Sequence, residues 1–260
     1  MLLIIALPRT GSTALLEACC QHSEVRGLFE PFREPSTLWN ATPGSLYEDL
    51  LRRGEQAVLD EVCASYSCVK VVLGAYQPTL RFNLRWAHRP GVRTVVLTRR
   101  NVLRQAVSIC LSMQSGVWQP WSASGVLQAP LSERARDAMD RHRSHDYQAL
   151  DVQQTRALMW ALMRRSAVLH GRAKRLGALE LTYEDLFEQP SLDEQIAVVR
   201  RVLEHGGFDS SELERDEARR GIGELFGISR MNSLETYRRV PNIDEIEERL
   251  GSSVHGHLFR

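Results

Sequence analysis

Long hydrophobic runs are absent from this 260-residue sequence. The apolar stretch Leu2–Leu7 is far shorter than the roughly 20 residues of a helical membrane span. It carries no charged start of the signal-peptide kind, so it reads as a buried parallel strand. Excess charge of one sign is missing too: 33 Lys and Arg stand against 32 Asp and Glu, a net of +1. That balance excludes a general nucleic-acid or membrane surface and leaves only local basic sites. Paired cysteines are lacking as well. The five cysteines are Cys19, Cys20, Cys63, Cys68 and Cys110, an odd number with no CxxC spacing. They argue against a disulfide frame or a zinc site and for reduced thiols in a cytoplasmic protein. His142 and His145 have helical spacing but no further ligands, so they read as a polar helix face.

What is present is an ordinary globular composition, 43% hydrophobic and 25% charged, with no repeat, low-complexity tract or long linker. A single domain over residues 1–260 is expected. Strands and helices alternate. Strands are expected at Leu2–Leu7, Cys68–Leu73, Val92–Thr98 and Ala178–Leu181. Helices are expected at Ser12–Gln21, Leu46–Ser65, Thr79–His88, Val102–Met113 and Ser191–Glu204, with a mostly helical Ser132–Leu176 broken near Ser144. Ser115–Pro130 reads as a loop, and the last fifty residues as short helices and loops. This order predicts an α/β fold in three layers, α/β/α, around a central parallel sheet. Ligands of such sheets gather at the carboxyl ends of the strands, where Pro8–Thr13, Gly74–Pro78 and Thr98–Arg100 fall.

The first of these stretches, PRTGST, joins a strand to a helix. Gly11 permits close backbone approach, Ser12 and Thr13 bring hydroxyls, and free N–H groups at the helix start suit an anion. Aligned with the P-loop GxxxxGK[ST], the chain has Ala6 in place of the first Gly and Ser12 in place of the Lys. Arg9 sits inside the turn instead. The neighbouring strand ends VVLTRR, without the carboxylate that holds magnesium in a nucleotide triphosphatase. A nucleotide held by arginines and backbone fits better than a metal-bound triphosphate. The plain alternative is a polar strand-to-helix turn.

The stretch RNVLRQAVS places Arg100 at a strand end and Ser108 eight residues later on the following helix. Asn101 is a candidate N-cap, and Arg104 faces either the same ligand or solvent. A guanidinium can grip a phosphate bidentately and a hydroxyl can add a bond. Two anion sites on neighbouring strand ends suggest one ligand with two separate anionic groups.

These stretches resemble the PAPS-dependent sulfotransferases. PRTGST is similar to the family's 5′-phosphosulfate loop, RNVLRQAVS to its 3′-phosphate motif, and LTYEDLFEQP (Leu181–Pro190) to a third recurring segment. The three occur in the family's order across nearly 200 residues. The resemblance is to bacterial enzymes, closer to the carbohydrate-type branch than to the aryl and steroid branch. Arg9 stands where that last branch has Lys. The strand CVKVVLGAY lacks its Lys-Thr-His base, and its C-terminal Arg-Lys-Gly loop is absent. The implied fold is P-loop-like. The implied donor is 3′-phosphoadenosine 5′-phosphosulfate, the product adenosine 3′,5′-bisphosphate, and the reaction a metal-independent in-line transfer of a sulfuryl group to a hydroxyl or amine.

The resemblance assigns Arg9 and the N–H groups of Thr10, Gly11, Ser12 and Thr13 to the phosphosulfate, and Arg100 and Ser108 to the 3′-phosphate. Tyr183 closes over the ribose or 3′-phosphate, Glu184 and Asp185 are structural, and Arg230 is a late basic contact. Glu30, in GLFEPFREP, is the candidate base, or else a loop carboxylate paired with Arg9 or Arg33. Glu34 is the neighbouring candidate. His88 reads as a surface residue. Lys70 either reaches the cleft or makes a structural ion pair. Trp118 and Trp121, with Phe29–Tyr47, are candidate walls of the acceptor cleft or simple anchors. A sugar, a lipid-linked carbohydrate, a small natural product and a peptide tyrosine all remain open as acceptors, and so does oligomeric state. The alternatives are a divergent P-loop kinase and a non-catalytic nucleotide-binding protein.

Overall fold

In the computed structural model, residues 1–32, 46–73, 80–118, 140–142, 144–228 and 234–259 are described. The chain is α/β, with five strands in one all-parallel sheet. They are β1 (Leu2–Ala6), β2 (Gly27–Phe29), β3 (Cys68–Val72), β4 (Arg93–Thr98) and β5 (Leu179–Thr182), in spatial order β2-β3-β1-β4-β5. The connections from β1 and from β4 depart to opposite sides, so the sheet has its switch point between these two neighbours. In open parallel sheets, ligands gather at the carboxyl ends beside such a point. Ala6 of β1 lies opposite Leu97 of β4, which brings the loops after both strands level with each other.

Every residue of β1 is buried, as a central parallel strand requires. Its side chains alternate between two cores. Leu2, Ile4 and Ala6 pack with Leu15 and Leu16 of α1 (Ser12–Cys19), Val199 and Val202 of α8 (Leu192–Gly206), and Ile222 and Phe226 of α9 (Asp216–Ile228). Leu3, Ile5 and Leu7 pack with Val58 and Val62 of α3 (Glu55–Ser65), Phe82 and Trp86 of α4 (Leu80–Ala87), and Ala173 of α6 (Val152–Leu176). At about 1.5–3 kcal/mol per buried aliphatic side chain, this strand alone makes a large contribution to the core. A third core joins α5 (Val102–Ser115) and α6 to Tyr237 of α10 (Leu234–Arg238) and to Ile246 of α11 (Ile243–Leu250).

One expectation needs correction, and two elements were not expected. Leu46–Ser65 is two helices, α2 (Tyr47–Arg53) and α3, because Gly54 between them takes φ 82°, outside the helical region. The three-residue β2 is too short to show a hydrophobic period. Likewise TYEDLF holds a separate helix, α7 (Tyr183–Phe187), opened by a capping box between Thr182 and Asp185. The break near Ser144 is as expected, and α6 begins at Val152 with Asp151 capping Gln154. No helix among the described residues is long and apolar enough to cross a membrane.

Candidate active site

The loop after β1 is pinned from both sides. The Thr10 hydroxyl donates to the Leu7 carbonyl at 2.8 Å, and Gln105 of α5 donates to the Pro8 carbonyl at 2.7 Å. Within it the backbone turns left-handed twice, at Arg9 (φ 62°) and Gly11 (φ 77°). The first is an unusual conformation for a side chain-bearing residue, and such strain concentrates at functional sites. Gly11 opens α1, and no side chain caps that helix, so its terminus is of the kind that takes anions. A Cβ at Gly11 would run into the Phe187 ring. Phe187 stacks on Tyr183 with centroids 4.5 Å apart, and the Arg99 guanidinium lies 3.9 Å above Tyr183. The segment TYEDLF is thus the floor against which the loop is shaped.

Arg9 joins the two candidate motifs. Its Nε donates to Ser108 Oγ at 2.8 Å and its Nη1 to the Trp118 carbonyl. Residues 99 positions apart in sequence meet in one spot. Burial and the charge of Arg99 lower the Arg9 pKa to about 10. Arg99 is 8% exposed, and its Nη1 donates to the Arg9 carbonyl at 3.3 Å.

Arg100 is placed otherwise. Its side chain is 65% exposed, with Nε 3.7 Å from Glu184 and Nη2 3.9 Å from Asp185. Glu184 also accepts the backbone N–H groups of Arg100 and Asn101, both at 3.0 Å, and so fixes the β4–α5 loop. Asn101 caps α5 through the Arg104 N–H at 2.9 Å, as its sequence position predicts. Arg104 turns to the chain end, donating to the Leu258 carbonyl at 2.9 Å.

Glu30 follows β2 at the same end of the sheet and is the second non-glycine residue with positive φ, 39°. Its N–H donates to the Lys70 carbonyl at 2.8 Å, and its carboxylate lies 2.7 Å from Lys70 Nζ. Lys70 is 1% exposed and also donates to Thr13 Oγ1 at 3.1 Å, with its ammonium 3.7 Å from the centre of the Phe29 ring. One buried lysine therefore connects Glu30 to the β1–α1 loop. Beneath it lies Glu17 of α1, also buried, whose pKa burial pushes up to about 8 while Lys70 pulls it down.

The structure thus gathers Arg9, Thr10, Gly11, Ser12, Thr13 and Ser108 around one cradle. Tyr183 lies beneath and Glu30 is linked to the cradle through Lys70. Arg230, Glu34, Trp121 and Gly74–Pro78 lie outside the described residues. His88 is exposed, as expected for a surface residue. The reading of His142 as part of a polar face is overturned. It is fully buried, because its ring nitrogen bonds Ser115 Oγ at 3.1 Å and the Tyr147 hydroxyl at 2.9 Å. Sequence reasoning also missed Arg99, Glu17 and Tyr237. Arg99 left a signal: successive side chains of an extended segment point to opposite sides, so the two arginines that follow β4 are expected to diverge. No protein-family model matches the chain, and no curated protein matches it either.

Proposed function

We propose that the chain is a sulfotransferase that moves a sulfuryl group from 3′-phosphoadenosine 5′-phosphosulfate to a hydroxyl or amine of an acceptor. The observation that carries the reading is the Arg9–Ser108 contact, which fuses the two sequence motifs into one basic, hydroxyl-bearing site. The site fits the donor chemically. Two arginines, an uncapped helix start and a loop glycine that leaves no room for a Cβ converge where a phosphosulfate needs donors. The donor supplies an activated sulfur and a stable leaving group.

The residues of the chain then have distinct tasks. Arg9 and the N–H groups of Thr10 to Thr13 hold the phosphosulfate and stabilise charge that builds on its oxygens. Arg100 and Ser108 take the 3′-phosphate, and Tyr183 supports the nucleoside side. Glu30 takes the acceptor proton as the acceptor oxygen or nitrogen bonds to sulfur and the bridging S–O bond breaks. The products are the sulfated acceptor, adenosine 3′,5′-bisphosphate and a proton on Glu30. Lys70 positions Glu30 and Thr13 together. The Lys70 contact also favours sulfuryl transfer over a kinase reaction. In a P-loop the terminal Thr hydroxyl ligates magnesium, and here that hydroxyl accepts from an ammonium.

Calorimetric titration with adenosine 3′,5′-bisphosphate, 5′-AMP and Mg-ATP, with and without EDTA, tests this. The reading expects bisphosphate binding that is tight, insensitive to EDTA and strongly weakened when the 3′-phosphate is removed. Preference for Mg-ATP, or equal affinity for the bisphosphate and AMP, overturns it.

A further inference from the structure

Arg99 and Tyr237 each carry a buried polar atom that has no hydrogen-bond partner among the described residues. Arg99 is 8% exposed, and among the described residues its Nε has no hydrogen-bond partner and no carboxylate lies within ion-pair distance of its guanidinium. Its known contacts are the Arg9 carbonyl, at 3.3 Å, and the face of Tyr183. Tyr237 of α10 is 2% exposed, and its hydroxyl is likewise buried without a partner among the described residues. Such groups cost free energy in the free protein, so each calls for an explanation. The two are also electrostatic neighbours. Burial raises the Tyr237 pKa, Tyr183 adds to the rise, and Arg99 opposes it with smaller help from Arg104 and Arg9. Arg9 in turn carries a pKa lowered by burial and by Arg99. Tyr237 belongs to the core that holds α5 and has Trp118 packed against it, and Arg9 donates to the Trp118 carbonyl, so Tyr237 packs on the α5 side of the cradle. An oxyanion resolves every one of these costs at once, pairing both cations and accepting from both orphan donors.

We propose that Arg99 and Tyr237 are binding residues for the phosphosulfate end of the donor, forming the inner wall of the cradle behind Arg9. The proposal rests on the sulfotransferase reading for the identity of the anion, a phosphosulfate, and on the buried donors for the existence of the site. It separates the two consecutive arginines by task. Arg99 holds the inner anion, beside the β1 loop, and Arg100 stands on the exposed rim over Glu184 and Asp185.

Inorganic pyrophosphate, two linked tetrahedral anions, is the probe for the site, with adenosine 3′,5′-bisphosphate titrated in parallel against wild type, Arg99→Gln, Arg99→Lys and Tyr237→Phe. Pyrophosphate affinity is expected to fall about 10- to 100-fold in Arg99→Gln and less in Arg99→Lys, which keeps the charge but not the fork. Tyr237→Phe is expected to lose about 3- to 10-fold in affinity while the melting temperature of the free protein stays level or rises, because an unsatisfied buried hydroxyl has been removed. A hydroxyl that only supports the fold cannot give that opposed pair of changes. Wild-type pyrophosphate affinity in both Arg99→Gln and Tyr237→Phe, or no pyrophosphate binding to the wild type, overturns the proposal. Arg99-dependent pyrophosphate binding without any preference for the bisphosphate sustains the anion site and removes the sulfotransferase reading instead.

Discussion

Replacing Glu17 by Gln should change how stability depends on pH. Glu17 of α1 is 7% exposed, and burial raises its pKa from 4.5 to about 8 against the pull of Lys70. Between those values the folded chain keeps a proton that the unfolded chain has released, so stability falls as pH rises. The contribution is fully present below 4.5 and gone above about 8. At about 1.4 kcal/mol per pH unit, the loss across that window has an upper limit on the order of 4–5 kcal/mol. Glu17→Gln keeps the shape of the neutral acid and cannot ionise, so it should lack this limb. Urea unfolding of both proteins at several pH values provides the assay, and subtracting one profile from the other cancels the remaining titrating groups. The two should match near pH 5, and near pH 8 the variant should exceed wild type by about 3–4 kcal/mol, or roughly 1–2 M in midpoint. Parallel profiles would refute the argument. They would mean that Glu17 is already ionised near pH 5 and that Lys70 faces two carboxylates at once.

Three further outcomes follow from the site. Glu30→Gln should lower turnover by about 10²-fold or more and leave bisphosphate affinity nearly intact, since a base acts in the transition state; normal turnover in an acceptor assay moves the base elsewhere. Arg100→Ala should bring bisphosphate affinity down toward that of 5′-AMP while leaving pyrophosphate affinity alone, and an unchanged preference in calorimetry removes Arg100 from the 3′-phosphate. Gly11→Ala combines φ 77° with a Cβ that runs into the Phe187 ring, so it should destabilise the fold by more than the about 1 kcal/mol of a φ effect alone and abolish bisphosphate binding; a wild-type melting temperature contradicts the close packing of loop and floor.

The architecture was legible because its signals are local. A buried parallel strand such as LLIIA is a continuous apolar run, and the strands alternate with amphipathic helices, so sheet and layers follow from period and order. The loop after β1 announced itself by Gly11 and by Arg9 within the turn. What escaped was set by contacts distant in sequence. The three residues of β2 become a strand because β3 offers them a ladder, from Gly27 opposite Cys68 to Phe29 opposite Lys70. That same ladder places Glu30 beside Lys70, and the adjacent β1 brings α1 and Thr13 within reach of the Nζ. Nothing in the string CVKVVL says whether its lysine reaches a cleft or pairs inside the core, because the answer depends on which strand lies next to it. The pairing decides it. A lysine in the middle of a buried strand is tolerated where a carboxylate meets it, and Glu30, which does so here, is the candidate base. Of the two readings of Lys70, the structure shows the ion pair: its ammonium meets Glu30 in the core, and a second contact, to Thr13 Oγ1, ties the β1–α1 loop to that pair.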